Sequence, residues 1–227
     1  MIILVGKAVK LSIDFLNADK EYVFEILLGV SSSTQDLEGK IKKINNANNI
    51  SDKKITKVID TFPKQYKQDV PIYSSAKING IRLRELCYAS DNMLKYTKDK
   101  ISFVKFKINK KNKIYKKLTE KRLLNNIDEI IIKIPIRKVL IKELSLIDIK
   151  SIKVKHLKKQ KILSELQGGY KLVKLKSIVS KGTYIRQLAE DIGQKIGNIP
   201  ALLYSLKRTK IGSISLKDYT TLKSLNH

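Results

Sequence analysis

The sequence predicts an α+β domain with a mixed, mainly antiparallel sheet flanked by helices, and three observations carry that reading. Runs of strand character recur at residues 20–28 (KEYVFEILL) and 101–108 (ISFVKFKI), and again where Leu172, Val173, Leu175, Ile178 and Val179 cluster. Helices with one apolar face lie among them, at residues 51–62 and from Ile185 on. There Ile185, Leu188, Ala189, Ile192 and Ile196 fall at i, i+3, i+4, i+7 and i+11. No internal repeat or linker divides the 227 residues, so a single domain over 1–227 is expected, long enough to bury a substantial core.

The elements follow in order. Residues 1–5 (MIILV) are apolar from the start and read as a chain that begins inside a core element, whereas a terminus normally begins exposed. Residues 7–16 suggest a short, imperfect amphipathic helix, 20–28 a half-buried strand, 29–39 a Ser-rich turn region and 40–44 a further strand. Ser51 caps a helix over 51–62 whose face is Ile55, Val58, Ile59 and Phe62. Residues 63–70 read as a connector and 71–78 as extended. Asn79-Gly80 is a turn, 81–89 a helix and 91–100 a polar stretch. After the strand at 101–108 comes a Lys-dense segment, 110–126, then extended chain at 127–134. Pro135 separates this from strand-like 136–149, and 151–160 is basic around His156. Gly168-Gly169 turns the chain into the strand ending at Val179. Residues 180–193 (SKGTYIRQLAEDIG) open the next helix, with Thr183 or Ser180 as its cap and Gly197 at its stop. Residues 199–206 read as a short helix, 207–214 as extended and 218–225 as a last helix.

Composition narrows the function. Apolar residues make up 42% of the chain, which suits a globular fold. The net charge is +26, with six of the 47 basic residues being Arg. Simple drift toward Lys would raise Glu as well, yet only 21 acids offset these bases. Nucleic acid is therefore the first partner to consider. The lone cysteine, Cys87, excludes a disulfide within the chain and a Cys-rich zinc site, and neither His156 nor His227 has metal ligands around it. No phosphate-cradling Gly loop appears, so no nucleotide cofactor is expected. No apolar run reaches spanning length and residues 1–5 are too short for a signal peptide, so a cytoplasmic, reducing setting without a membrane partner is expected.

Arg186 is out of place by local rules. A cation in the first turn faces the positive end of the helix dipole, at a cost of about 0.3–1 kcal/mol if exposed. Either it meets a carboxylate or a phosphate, or it stays solvated on the polar face.

Four segments, in order, resemble motifs of the TruB family of tRNA pseudouridine synthases. Residues 4–11 (LVGKAVKL) are similar to its G-x-A-T-K segment, and 19–25 (DKEYVFE) to D-K-x-Y. Residues 29–39 match the loop G-x-x-T-D-T-x-D-x-x-G more weakly. Residues 73–86 (YSSAKINGIRLREL) are similar to Y-S-A-x-K-x-x-G-x-R-L-Y-E-L. Residues 180–193 and then 206–212 (LKRTKIG) are similar to S-K-G-T-Y-I-R-x-L-x-x-D-x-G and L-R-R-T-x-x-G. The resemblance implies a pseudouridine synthase-like domain that needs no cofactor, acts as a monomer and engages the T-arm of tRNA. Its target, the T-loop uridine at position 55, must leave its stack. Tyr22 would then pack on the target base and assist proton transfer, where its alternative is a core strand tyrosine. Tyr184 would contact the base, Leu206 wall the pocket, and Lys10 support the pocket or a phosphate. Arg186 would pair with the catalytic aspartate.

Departures matter. The family's G-x-L-D-P segment, with its nucleophilic aspartate and the preceding base-flipping histidine, would fall upstream of Met1. Asp14, Asp19 and Asp36 are the nearest acids and none has that motif context. Ser33 stands where the loop motif has Asp, and Arg84 where the third motif has Tyr. The C-terminal RNA-binding PUA domain of many members is not matched. Residues 90–134, with Lys105, Lys107, Lys110, Lys111, Lys113, Lys116 and Lys117, form an insertion that reads either as an extra RNA-backbone surface or as a solvated excursion. Three functions stand open: a tRNA pseudouridine synthase cut short of its nucleophile and inactive as it stands, a catalytically inactive tRNA-binding or tRNA-folding pseudoenzyme, and a basic ribosome-associated RNA-binding protein.

Overall fold

The computed structural model describes residues 3–45, 47, 49–98, 101–125, 128–153 and 169–215. Expectations for 154–168 (most of the basic segment around His156, and Gly168) and for the helix at 218–225 lie outside them. The chain divides into two compact units, Met1–Lys67 with Lys138–His227, and Gln68–Arg137. The Lys-rich segment 90–134 falls within the second.

The first unit is organised on a sheet of six strands, ordered β13-β12-β1-β11-β10-β4. Here β1 is Lys20–Leu28, β4 Gln65–Asp69, β10 Ile136–Lys153, β11 Gly169–Val179, β12 Ala201–Ile211 and β13 Ile214–Ser215. β1 pairs antiparallel with both β11 and β12, and β10 antiparallel with β11. Alternation along β1 sends Phe24, Ile26 and Leu28 to one face. There they meet α2 (Asp52–Asp60) through Ile55 and Ile59, and the long helix α5 (Ile185–Gly197) through Ile185, Leu188, Ala189, Ile192 and Ile196. Leu27 points to the other face, against Val30, Leu37, Tyr170 and Leu202. The architecture is α+β, with antiparallel sheets flanked by helices, as the periodicities predict.

Caps and glycines fix the helix ends. The Ser51 hydroxyl accepts from Lys54 N at 3.3 Å, as expected of the α2 cap. α5 is entered differently. Tyr184 holds the N-cap position with extended backbone and no side-chain cap bond. Ser180 Oγ accepts from Leu140 N at 3.0 Å and Thr183 Oγ1 donates to Ser180 O at 2.9 Å, so both are used to hold the preceding turn. Asn198, in the left-handed region at φ 56°, ends the helix beyond Gly197. At Gly193 a Cβ would come within 2.4 Å of Ile199 O and 2.8 Å of Ala201 Cβ, so glycine lets α5 lie directly on the start of β12.

Several local expectations are corrected. Residues 199–206 are not helical. Ala201, Leu202 and Leu203 open β12 because a strand can bury consecutive residues on both of its faces: Ala201 and Leu203 join the α5-side core, and Leu202 the opposite one. Two stretches read as connector and polar chain, 63–70 and 91–100, contain β4 and β7 (Ser90–Lys98). β4 is an edge strand, and among the described residues β7 pairs only with β8 (Ile101–Ile108), so backbone pairing outweighs their polar sequences. Asn79 and Gly80 both have positive φ and turn β5 (Lys77–Ile78) into β6 (Ile81–Arg82), which delays α3 to Leu83–Ala89. Residues 7–16 divide between a 3-10 turn, Gly6–Leu11, and a short helix, α1, Ser12–Asn17. Ile3 and Val5, expected inside a core, are 67% and 77% exposed, and Val9, Leu11, Ile13 and Leu16 are also exposed.

In the second unit β7, β8 and β9 (Glu129–Lys133) form an antiparallel sheet. Phe106, Ile130 and Ile132 from it are buried, as are Leu83 and Leu86 of α3 and Leu118 of α4 (Lys113–Glu120). The remaining pair, β2 (Val30–Ser32) with β3 (Ile41–Ile44), closes the Ser-rich region into a hairpin. Among the described residues no helix is long and apolar enough to cross a membrane.

On the sheet face away from α5, Glu21 is nearly buried. Thr209 Oγ1 donates to its Oε1 at 2.6 Å, and Lys176 Nζ lies 3.3 Å from Oε2. The Thr209 hydrogen bond, with Lys176 and Lys210 beside it, holds this carboxyl below the usual glutamate range against the opposing push of burial. A depressed folded value stabilises the fold above the unfolded pKa, and that contribution is lost as pH falls through the folded one. Glu21→Gln is therefore expected to lower the denaturant midpoint at pH 7, with the gap to wild type closing as pH drops below about 4.3. A gap independent of pH would show that the charge contributes nothing.

Candidate active site

β12 strings the candidate residues together. Register places Arg208 opposite Tyr22, Leu206 opposite Phe24 and Leu203 opposite Ile26. Directly paired residues share a face, so Tyr22, Leu206 and Arg208 lie on the side of the sheet that carries α5. Tyr22 is half-buried against the edge of that core. Its hydroxyl makes no hydrogen bond among the described residues. Leu206 is 49% exposed, an apolar wall that the core does not cover. Next to Tyr22, Lys20 donates to Leu16 O at 2.7 Å and Ala18 O at 2.6 Å. Burial, and then the neighbouring Arg208 and Lys181 cations, push its ammonium below the usual lysine range, only partly offset by Asp19. This end of the sheet is thus a cluster of positive charge beside an aromatic ring and an exposed aliphatic wall.

Arg186 sits in the first turn of α5 and finds its anion inside the chain. Nη1 donates to Thr34 O at 2.9 Å and lies 3.3 Å from Asp36 Oδ2. The two side chains are 24% and 22% exposed, so the pair is largely withdrawn from solvent. The sequence reading left this arginine without a carboxylate in the 227 residues. Asp36 supplies one, at the second aspartate position of the loop motif matched by residues 29–39.

The loop that carries Asp36 is held rigidly. Thr34 Oγ1 donates to Asp36 Oδ1, and Glu38 N donates to the same oxygen at 3.0 Å. Ser33, where the motif has Asp, exchanges bonds with Lys40: Ser33 N to Lys40 O at 2.8 Å and Lys40 N to Ser33 Oγ at 3.0 Å. A Cβ on Gly39 would collide with Ser33 and Thr34 at 2.5 Å, so only glycine closes this turn. Leu203 N donates to Gln35 O at 2.9 Å, and Asp36 bridges Leu203 in parallel fashion, which docks the loop on β12. Gln35, at φ 66°, reaches α5 through Gln187 at 2.6 Å and Glu190 at 2.7 Å. Gln187 donates in turn to Asp191, which also accepts from Tyr66 OH at 2.7 Å. Loop, helix and strand thereby hold one another in place.

The structure brings Tyr22 and Leu206 to one sheet face, with Tyr184 and Arg186 at the start of the helix packed on that face. It does not engage Lys10, which is exposed on the 3-10 turn and makes no hydrogen bond or ion pair among the described residues. Sequence reasoning passed over Lys20, Arg208 and the role of Asp36. The signal for Asp36 was the loop motif itself, whose last acid was weighed only as a substitute nucleophile. No group of three or more His, Cys, Asp or Glu residues able to hold a metal occurs among the described residues.

Removing the carboxylate takes the Asp36 charge away from a partly buried cation. Asp36→Ala is expected to lower stability by about 1–3 kcal/mol, and Arg186→Met in that background to recover part of the loss. A double-mutant cycle by urea unfolding measures the coupling, and additive effects would show that the pair holds nothing.

Comparison with known proteins identifies the family. Residues 1–124 match the model of the TruB family pseudouridylate synthase N-terminal domain. The chain is 30% identical to tRNA pseudouridine synthase B of Ligilactobacillus salivarius, over 99% of its own length and 59% of the relative's. It is 27% identical to the enzyme of that name from Endomicrobium trichonymphae, over 98% of the chain and 71% of the relative. For that of Clostridioides difficile the figures are 28%, 98% and 55%. The chain thus spans a little over half to about seven tenths of these relatives. A solved Cbf5-Nop10-Gar1 complex aligns with a TM-score of 0.45 and 18% identity, over 94% of this chain and 39% of that one. With the family model covering more than half of the sequence, the chain belongs to the TruB family of pseudouridine synthases.

Proposed function

We propose that these 227 residues are the base-recognising part of a tRNA pseudouridine synthase acting on the T-loop uridine at position 55. In this reading the uridine leaves its stack, its C1′–N1 bond breaks, uracil rotates and a C1′–C5 bond forms. The C5 proton is lost and N1 ends protonated, so the reaction is an isomerisation that consumes no co-substrate.

The observation that carries the reading is the shared sheet face of Tyr22, Leu206 and Arg208, beside a helix whose Arg186 is locked by a loop docked on the same strand. Tyr22 offers a stacking face, worth about 1–3 kcal/mol per base, and a phenol oxygen that takes the C5 proton once its own proton has passed to solvent. Leu206 excludes water from the ring. Arg208, Lys20 and Lys181 meet the phosphates that flank the flipped nucleotide. Asp36 orients Arg186 as a positioning residue, and Tyr184 contacts the base from the helix entrance. Lys10 contributes as a phosphate contact. In this reading none of Asp14, Asp19 and Asp36 is the nucleophile, because none stands in the motif that carries the family's catalytic aspartate; Asp36 holds Arg186 and Asp19 lies 2.6 Å from Lys142. The 227 residues by themselves are then an RNA-binding body without turnover.

Purified protein titrated with a labelled T-arm hairpin is expected to bind with an affinity that falls steeply with salt. Tyr22→Ala is expected to weaken it about 5- to 150-fold, and Arg208→Ala to flatten the salt slope by about one phosphate contact. Chromatography of the nucleosides after digestion of the RNA, which separates pseudouridine from its isomer uridine, is expected to show unmodified uridine. Pseudouridine made by this chain would assign the nucleophile to one of its own acids. Equal affinity for the T-arm and an unrelated hairpin, unchanged by Tyr22→Ala, would sink the site assignment.

A further inference from the structure

The second unit carries a cleft that the reaction above does not use. It holds about 240 Å³ and is lined by Tyr88, Asp91, Asn109, Lys111 and Asn112 among others. That volume lies below the roughly 300–1,000 Å³ of drug-sized sites, at the scale of a single ring system. Tyr88 is 76% exposed on α3, whose apolar residues Leu83, Leu86, Cys87 and Ala89 are buried. Its ring is steadied by an edge contact to Tyr73, with centroids 6.1 Å apart and planes at 68°. A large aromatic ring held in place and left open is a stacking platform.

The walls present complementary polar groups. Asn109 Nδ2 donates to Asp91 Oδ1 at 2.9 Å, which fixes the carboxylate and leaves Oδ2 to accept from a ligand. Asn112 Oδ1 is used in capping α4, accepting from Ile114 N at 3.0 Å, so its amide N–H groups face outward as donors. Lys107, Lys110, Lys111 and Lys113 are all exposed around this end of the unit. An aromatic face, an acceptor and a donor at one rim, and cations around them fit a stacked base whose phosphates lie on the lysines.

We propose that the Tyr88 cleft binds one unpaired nucleobase bearing an exocyclic amine, from a single RNA strand, with Asp91 accepting from the amine. Only the choice of RNA over other polyanions rests on the proposed function. The test uses the full chain and fluorescence anisotropy of three labelled hexamers: all-uridine, the same with one central adenosine, and the same with one central purine riboside, which lacks the amine. The adenosine hexamer is expected to bind tightest. Tyr88→Ala is expected to weaken it about 5- to 150-fold, Tyr88→Phe to leave it within about twofold because the stack survives, and Asp91→Ala to erase the preference for adenosine over purine riboside. Because Tyr88 and Asp91 are exposed, unfolding midpoints should match wild type. Wild-type affinity in Tyr88→Ala, or equal binding of the adenosine and purine riboside hexamers, would overturn the proposal. Either result leaves the T-arm titration unaffected, since that experiment reads Tyr22 and Arg208.

Discussion

A guanidinium in the first turn of α5 is placed against the helix dipole, and the carboxylate that compensates it arrives from 150 residues away in the chain. Much of the first unit is arranged to make that meeting possible. The loop bearing Asp36 must turn tightly, which Gly39 permits, and must lie along β12, which the Leu203–Gln35 bond secures. α5 must lie close on the start of the same strand, which Gly193 permits. A largely desolvated pair is costly to break and only modestly favourable to form, so its main effect is geometric. It fixes where Arg186 points.

β12 is the element on which these constraints converge. Its first residues are buried on both faces, its middle carries Leu206 and Arg208 beside Tyr22, and it hosts the Asp36 loop at Leu203. A strand rises about 3.3 Å per residue, so the arginine anchor and the aromatic platform stand a few residues apart along one rigid line. On the proposed reading, that spacing lets stacking and charge contacts act on one extruded nucleotide together.

Charge is distributed with the same economy. On the face away from α5, Glu21 gathers Lys176 and Lys210 into compensated contacts. Around Tyr22, burial and then the neighbouring Arg208 and Lys181 hold the Lys20 ammonium below the usual lysine range, a condition that an incoming phosphate relieves. The second unit places a lysine-rich surface around an open tyrosine. A net charge of +26 therefore resolves into distinct surfaces, some neutralised within the fold and some left exposed.

The sequence by itself determined the fold class, the face of α5, the Ser51 cap, the Asn79-Gly80 turn and the family, because each rests on local periodicity, on a side chain reaching its own backbone, or on ordered motifs. It also singled out Arg186 as a cation in want of an anion. Only the tertiary structure decided which anion. Asp36 is a loop residue whose helical partner is distant in sequence, and nothing in either segment's local pattern encodes the pairing. The same holds for residues 199–206, whose apolar run suits a helix or a strand until two cores close on it from opposite sides. Polar stretches such as β4 and β7 became strands because partners offered them backbone hydrogen bonds. Lys20 and Arg208 became neighbours through register alone. Local chemistry sets what each segment prefers; long-range pairing and burial set which preference is realised.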